Sequence, residues 1–239
     1  MSKTNQFNEA IKPMPQEKKS RRSFMKVGGA AIATTGILVS GCKEFFEMIP
    51  DKPQPAPTVN LGKGDTGILN YAYTLEQLEA AFYTKVCEMP YSGMSSEEEM
   101  ILEDIRKHEV VHVDFLKAAL GKDAIIKLTF NFSSVDFTRR DSVLGTAKTF
   151  EDLGVAAYNG AGQLLMSGDL LLIAGKIVSV EARHAAAIRS IFDEDPKSFA
   201  GNEVIDENGL DRAFTPQKVL DTAASFIVNK INANQLPTS

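Results

Sequence analysis

Glu109 and His112 form a Glu-x-x-His pair, with Ile105 four residues before the glutamate and Leu116 seven residues after it. Glu181 and His184 repeat the pair further along, with Ile177 and Ile188 at the same offsets. The chain has only three histidines, so two of them preceded by glutamate at the same distance is a pattern that chance rarely produces. A second pattern also occurs twice: Ala72, Glu76 and Tyr83 are matched by Ala147, Glu151 and Tyr158. Steps of four and seven residues fall on one face of a helix, so each glutamate lies in a stripe expected to face a core. Four helices then direct four carboxylates into one interior.

The rest of the sequence agrees with helices. Ala, Leu and Glu recur at three- and four-residue intervals, and the periodicity predicts helices over 68–86, from near Ser95 to Leu120, over 143–162 and over 163–192. Ser95 and Glu98 have the spacing of a capping box, Gly121 is a stop, and Gly160-Ala161-Gly162 reads as a break between the third and fourth helices. Asp65 is placed to cap the first helix. Residues 122–141, with Ile126, Leu128, Phe130 and Phe132 alternating, predict a long crossover or a short strand. Residues 193–214 read as irregular chain, and Thr215-Pro216 opens a fifth helix expected to run to about Asn232, outside the bundle. The expected class is all-α: a four-helix bundle with a long crossover between the second and third helices and an additional C-terminal helix.

Buried carboxylates are costly to desolvate unless a proton, a cation or a dense hydrogen-bond set neutralises them. Two divalent ions meet that need, with Glu76, Glu109, Glu151 and Glu181 supplying oxygens and His112 and His184 one nitrogen each. Such an oxygen-rich set suits two Fe or two Mn ions. Glu79 competes with Glu76, but the matching residue of the third helix is Gly154, so the repeat favours Glu76. His108-Glu109-Val110-Val111-His112 also fits the zinc-protease motif, which would make His108 a ligand. The second copy has Val180 in that place, and this reading leaves Glu76, Glu151, Glu181 and His184 without a purpose. Arg183 falls beside the stripe and reads as a surface arginine.

The phrases Leu75-Glu76-Gln77-Leu78-Glu79-Ala80-Ala81-Phe82-Tyr83, Glu151-Asp152-Leu153-Gly154-Val155-Ala156-Ala157-Tyr158 and Val180-Glu181-Ala182-Arg183-His184-Ala185 resemble the ferritin-like diiron-carboxylate superfamily, in particular its desiccation-related branch. The resemblance covers roughly residues 65–192. It implies a ferritin-like four-helix bundle in which Glu76 and Glu151 are the single-helix carboxylates. Glu109, His112, Glu181 and His184 complete two metal sites, and Tyr83 and Tyr158 lie next to the ligands. A redox-active metal pair supports chemistry with dioxygen or peroxide: ferroxidase-like, catalase-like or oxidase. The other reading, of a different class, is an envelope stress-protection or interaction bundle without turnover.

Upstream of the bundle, Ser20-Arg21-Arg22-Ser23-Phe24-Met25-Lys26 precedes the uncharged run Val27 to Gly41, which is too short to span a bilayer. This resembles a twin-arginine export signal, read by the twin-arginine translocase through Arg21 and Arg22. Val39-Ser40-Gly41-Cys42 resembles a lipobox, in which Cys42 takes the lipid, begins the mature chain and anchors it to a membrane. Residues 1–41 are then a leader, and 42–64, with Pro50, Pro53, Pro55 and Pro57, a semi-rigid tether. The bundle follows over 65–192 and the C-terminal segment over 193–239. The expected location is the bacterial cell envelope. With Cys42 lipidated, Cys87 has no disulfide partner and reads as a packing residue. Residues 42–239 carry a net charge of −10, and no basic stripe with interleaved aromatics occurs, which excludes nucleic-acid binding.

Overall fold

The computed structural model describes residues 56–238. The leader, Arg21, Arg22, Cys42 and the first three tether prolines lie outside the described residues. Four long helices form the body: α1 (Gly64–Glu88), α2 (Ser96–Leu120), α3 (Arg140–Gly162) and α4 (Gly168–Phe192). A short helix, α5 (Pro216–Ala223), follows, and strands β1 (Val59–Asn60) and β2 (Ile231–Asn232) pair in parallel. α1 packs along α2 and α3 along α4, and the two pairs meet through α1 with α3 and α2 with α4. The architecture is the all-α ferritin-like bundle with a C-terminal helix. None of the helices among the described residues is long and apolar enough to cross a membrane.

The ends of these helices follow local chemistry in some places and tertiary contacts in others. At α2, Ser95 Oγ accepts from the Glu98 N–H at 3.2 Å and Glu98 Oε2 accepts from the Ser95 N–H at 2.8 Å, the reciprocal capping box. Gly121 ends α2 at φ 57°, a left-handed conformation that glycine adopts without strain. Asp65 does not cap α1. It lies inside the first turn, and its carboxylate accepts the N–H groups of Met166 (2.8 Å) and Ser167 (2.9 Å), tying the start of α1 to the α3–α4 connection.

The third helix ends at Gly162, as the sequence predicts, but α4 begins at Gly168 rather than at Gln163. Gly160 is required by close approach. A Cβ there would stand 1.8 Å from the Phe214 carbonyl oxygen, while the Phe214 N–H donates to Ala156 O at 2.9 Å. Gly160→Ala must push the Phe214 strand of chain off α3, and a loss of about 1–3 kcal/mol in denaturant unfolding is expected. An unchanged midpoint would contradict this packing.

The crossover opens with a 3-10 turn at Gly121–Asp123 and bends again in turns at 133–134 and 137–138, with no helix between α2 and α3 other than that first turn. It is fixed by polar side chains of α1. The buried Asn70 amide donates to Leu61 O and Asp123 O and accepts from the Ile125 N–H, each at 3.0 Å, and Gln77 Oε1 accepts from the Leu128 N–H at 2.9 Å. Leu128, Val135 and Phe137 thereby pack into the core.

α5 begins as expected at Thr215-Pro216, but stops at Ala223 rather than near Asn232. A 3-10 turn, Ala224–Phe226, follows, and then the backbone is claimed by partners distant in sequence. Asn131 N–H donates to Phe226 O (2.8 Å), Val228 N–H to Thr129 O (2.9 Å) and Val59 N–H to Lys230 O (2.8 Å). Val219 and Ala223 are buried in the main core, so α5 seals the bundle beside α3. Val59 and Leu61 are buried as well, so packing starts upstream of Asp65.

Candidate metal centre

Glu76, Glu109, Glu151 and Glu181 come from the middle of α1, α2, α3 and α4 in that order, and all four are fully buried. With His112 and His184 they form two overlapping groups whose nearest nitrogen and oxygen atoms lie within 4.8 Å of one another: Glu76, Glu109, His112 and Glu181 in one, Glu109, Glu151, Glu181 and His184 in the other. All six predicted residues are therefore brought together. Glu109 and Glu181 belong to both groups, and their oxygens are divided between them. His112 Nδ1 lies 3.1 Å from Glu181 Oε1 and 3.6 Å from Glu109 Oε2, whereas His184 Nδ1 lies 2.9 Å from Glu109 Oε1 and 3.9 Å from Glu181 Oε2.

The two outer carboxylates are held in matching ways. Tyr83 of α1 donates its hydroxyl to Glu151 Oε1 of α3 at 2.5 Å, and Tyr158 of α3 donates to Glu76 Oε1 of α1. Each tyrosine occupies one oxygen and leaves the other facing inward. Glu76 Oε2 stands 3.2 Å from His112 Nδ1, and Glu151 Oε2 stands 3.5 Å from His184 Nδ1. The exchange across α1 and α3 follows from the sequence repeat, since equivalent glutamate and tyrosine positions face one another.

This set of groups fits a pair of cations. Both oxygens of Glu109 and Glu181, Glu151 Oε2 and His184 Nδ1 are buried without a hydrogen-bond partner, although they crowd within a few ångströms. Buried polar atoms are almost always paired. Four carboxylates and two neutral imidazoles also supply the negative charge that two divalent ions balance. Protons fill that role otherwise. Burial, then the Glu109 charge, raises Glu76 to about 8, and burial also raises Glu151 and Glu181. Burial opposes the charge of Glu109 too, but His112 and His184 hold it at about 2. Burial works against protonation of His112 and His184; Glu109 and the other carboxylates outweigh it and raise them to about 12 and about 10.

Glu79 lies outside both groups, yet it is buried, and burial followed by the charges of Glu181 and Glu109 raises its pKa well above the usual range. Gly154 makes room for it: Glu79 Oε1 is 3.1 Å from the place a Gly154 Cβ would take. The glycine that separated Glu76 from Glu79 in the sequence is thus the counterpart of Glu79 across α1 and α3. The zinc-protease arrangement does not form, because His108 joins neither group and instead places Nδ1 2.8 Å from His184 Nε2. The repeat comparison hid this contact, since Val180 occupies the equivalent place.

Two further residues complete the surroundings. Arg183 is exposed, as read from the sequence, whereas the buried arginine is Arg189. It grips Asp152 through Nε and a terminal nitrogen at 2.7 and 2.6 Å, and Glu203 at 2.5 Å, fastening residues 198–203 to α3 and α4. Cys87 is a free thiol whose pKa burial pushes up to about 11, which leaves it unreactive. A small cavity of about 20 Å³ lies one helical turn from Glu76 and His112, walled in part by Ala72 and Leu116. Ala72, Leu116, Tyr158 and Ile177, each one or two turns from a glutamate or histidine of the centre, contribute to its almost wholly apolar wall.

No curated protein matches the chain. The family described as Ferritin-like domain matches residues 64–194, a span that takes in all four long helices and all six converging side chains, and the chain belongs to that family.

Proposed function

We propose that the chain binds two iron or manganese ions: Glu76 and His112 would hold one, Glu151 and His184 the other, and Glu109 and Glu181 would serve both. The observation that carries this reading is the division of Glu109 and Glu181, each of which turns one oxygen toward each histidine. When bound, such a pair supplies two one-electron changes and so a two-electron reduction of dioxygen or peroxide. The protein's own groups do the rest. Tyr83 and Tyr158 fix the outer carboxylates, and the fully buried ring of glutamates excludes bulk water.

The cavity favours dioxygen over peroxide as the oxidant. Its wall is almost wholly apolar, so a nonpolar diatomic enters at less cost than peroxide, which must give up most of its hydrogen bonds to water. Oxygen uptake by the metal-loaded chain, measured against peroxide consumption under the same conditions, tests this. Dioxygen consumption is expected to be the faster, and Ala161→Phe, which fills the cavity wall, is expected to slow it without changing metal content. Faster peroxide turnover would overturn the choice of oxidant. Metal loading with no turnover of either would establish a metal-binding bundle without redox activity.

A further inference from the structure

The contact between His108 and His184 assigns a task to a residue outside both metal groups. His108 is exposed and sits one residue before Glu109 on α2; His184 is buried on α4. Their rings are nearly coplanar, at 8°, with centroids 5.1 Å apart and Nδ1 of His108 2.8 Å from Nε2 of His184. Coplanar rings at that separation meet edge to edge, as an in-plane hydrogen bond requires, and not face to face. Nδ1 of His184, on the opposite side of its ring, faces Glu109, Glu151 and Glu181 and makes no hydrogen bond.

We propose that His108 is a positioning residue for one half of the metal centre: its Nδ1 accepts the Nε2 hydrogen of His184, which leaves the His184 Nδ1 lone pair directed at the metal. A ligating histidine is oriented by the hydrogen bond its other nitrogen donates, and loss of that partner weakens metal binding by about 10–100-fold. His112 has no equivalent. Among the described residues its contacts are made through Nδ1 alone, with Glu76, Glu109 and Glu181. The two halves are therefore unequal, and the half containing His184 is the pre-oriented one, filled first as metal is added.

This assignment rests on the two-metal reading. It is tested by titrating the full-length chain with cobalt(II), whose visible spectrum reports each equivalent bound, alongside His108→Ala and His108→Asn. Asparagine places Oδ1 where histidine has Nδ1 and so keeps the acceptor. His108→Ala is expected to weaken the tighter equivalent by about 10–100-fold, leave the weaker one unchanged and abolish ordered filling. His108→Asn restores most of the loss. Thermal melting of the metal-free variants, expected to be unchanged for an exposed position, separates this from a loss of folding. Two equivalents bound with unaltered affinities in His108→Ala, equal weakening of both, or no rescue by asparagine overturns the assignment alone. No cobalt uptake by the unsubstituted chain overturns the two-metal reading and the assignment with it.

Discussion

Glu109→Gln is expected to lower bound metal from about two ions per chain to about none, whereas Glu151→Gln lowers it to about one. The difference comes from the grouping of the side chains. Glu109 lies in both sets of converging atoms and Glu151 in one. Glutamine keeps the size and shape of the side chain, so the loss reports charge and coordination rather than a cavity. Glu181→Gln should behave like Glu109→Gln, and Glu76→Gln like Glu151→Gln, which leaves the ion beside His184 in place. Elemental analysis of the four purified variants reads the result. One ion retained in Glu109→Gln would contradict the shared role proposed for Glu109.

The second large effect is on stability. In the metal-free chain Glu76, Glu79, Glu151 and Glu181 have pKa values raised above the usual 4.5, and His112 and His184 above the usual 6.5. Folding therefore takes up protons at these groups, and the stability they contribute is complete below the unfolded values and lost as pH rises through the folded ones. The Glu76 share goes by about pH 8 and the His184 share through about pH 10. Glu109, held at about 2, acts in the opposite sense: its share is present above 4.5 and lost as pH falls toward 2. Metal-free protein should be most stable near the low end of this window, between the loss of Glu109 and that of Glu76.

Metal reverses the trend, because carboxylates and imidazoles bind it only when deprotonated. At pH 8, metal present at about 100 times its dissociation constant adds about 2.7 kcal/mol. For a chain of this size that raises the melting temperature by roughly 5–10 °C, and the gain shrinks toward pH 5. Melting curves with and without chelator across this range check the prediction. Metal-free protein that gains stability as pH rises from 5 to 8 would show that the glutamates are not buried together.

The bundle and its centre were legible because both depend on helical periodicity, which a sequence displays directly. The Glu-x-x-His pairs and their repeat partners lie on stripes that local spacing alone defines, and the structure brings all six side chains together. What was not legible depends on contacts between distant segments. Gly160 falls at the end of the third helix in the sequence as in the structure, but nothing local shows that the Phe214 backbone lies where its side chain would be. Residues 227–232 carry no signal that they pair with Thr129 and Val59, so the sequence pattern extends the fifth helix beyond its end at Ala223. Asp65 has the composition of a cap but serves the far end of the neighbouring pair of helices.

The places of Glu79 and His108 depend on contacts of the same kind. Gly154 stands at the repeat position of Glu79, which favours Glu76 as the ligand, and in the bundle the two face each other and the glycine admits the carboxylate. His108 has no repeat counterpart, and its partner, His184, is on another helix. Neither contact has a local spacing that would reveal it. Arg189 and Arg183 differ in the same way: one is buried against Asp152 and residues 198–203, and the other is exposed.

The direct test of the metal centre is the number and kind of ions in the full-length chain purified without chelator. About two iron or manganese ions per chain, with anomalous scattering peaks flanked by Glu109 and Glu181, is the predicted result. A single zinc ion, or a centre that stays free of metal when offered both iron and manganese, would contradict it.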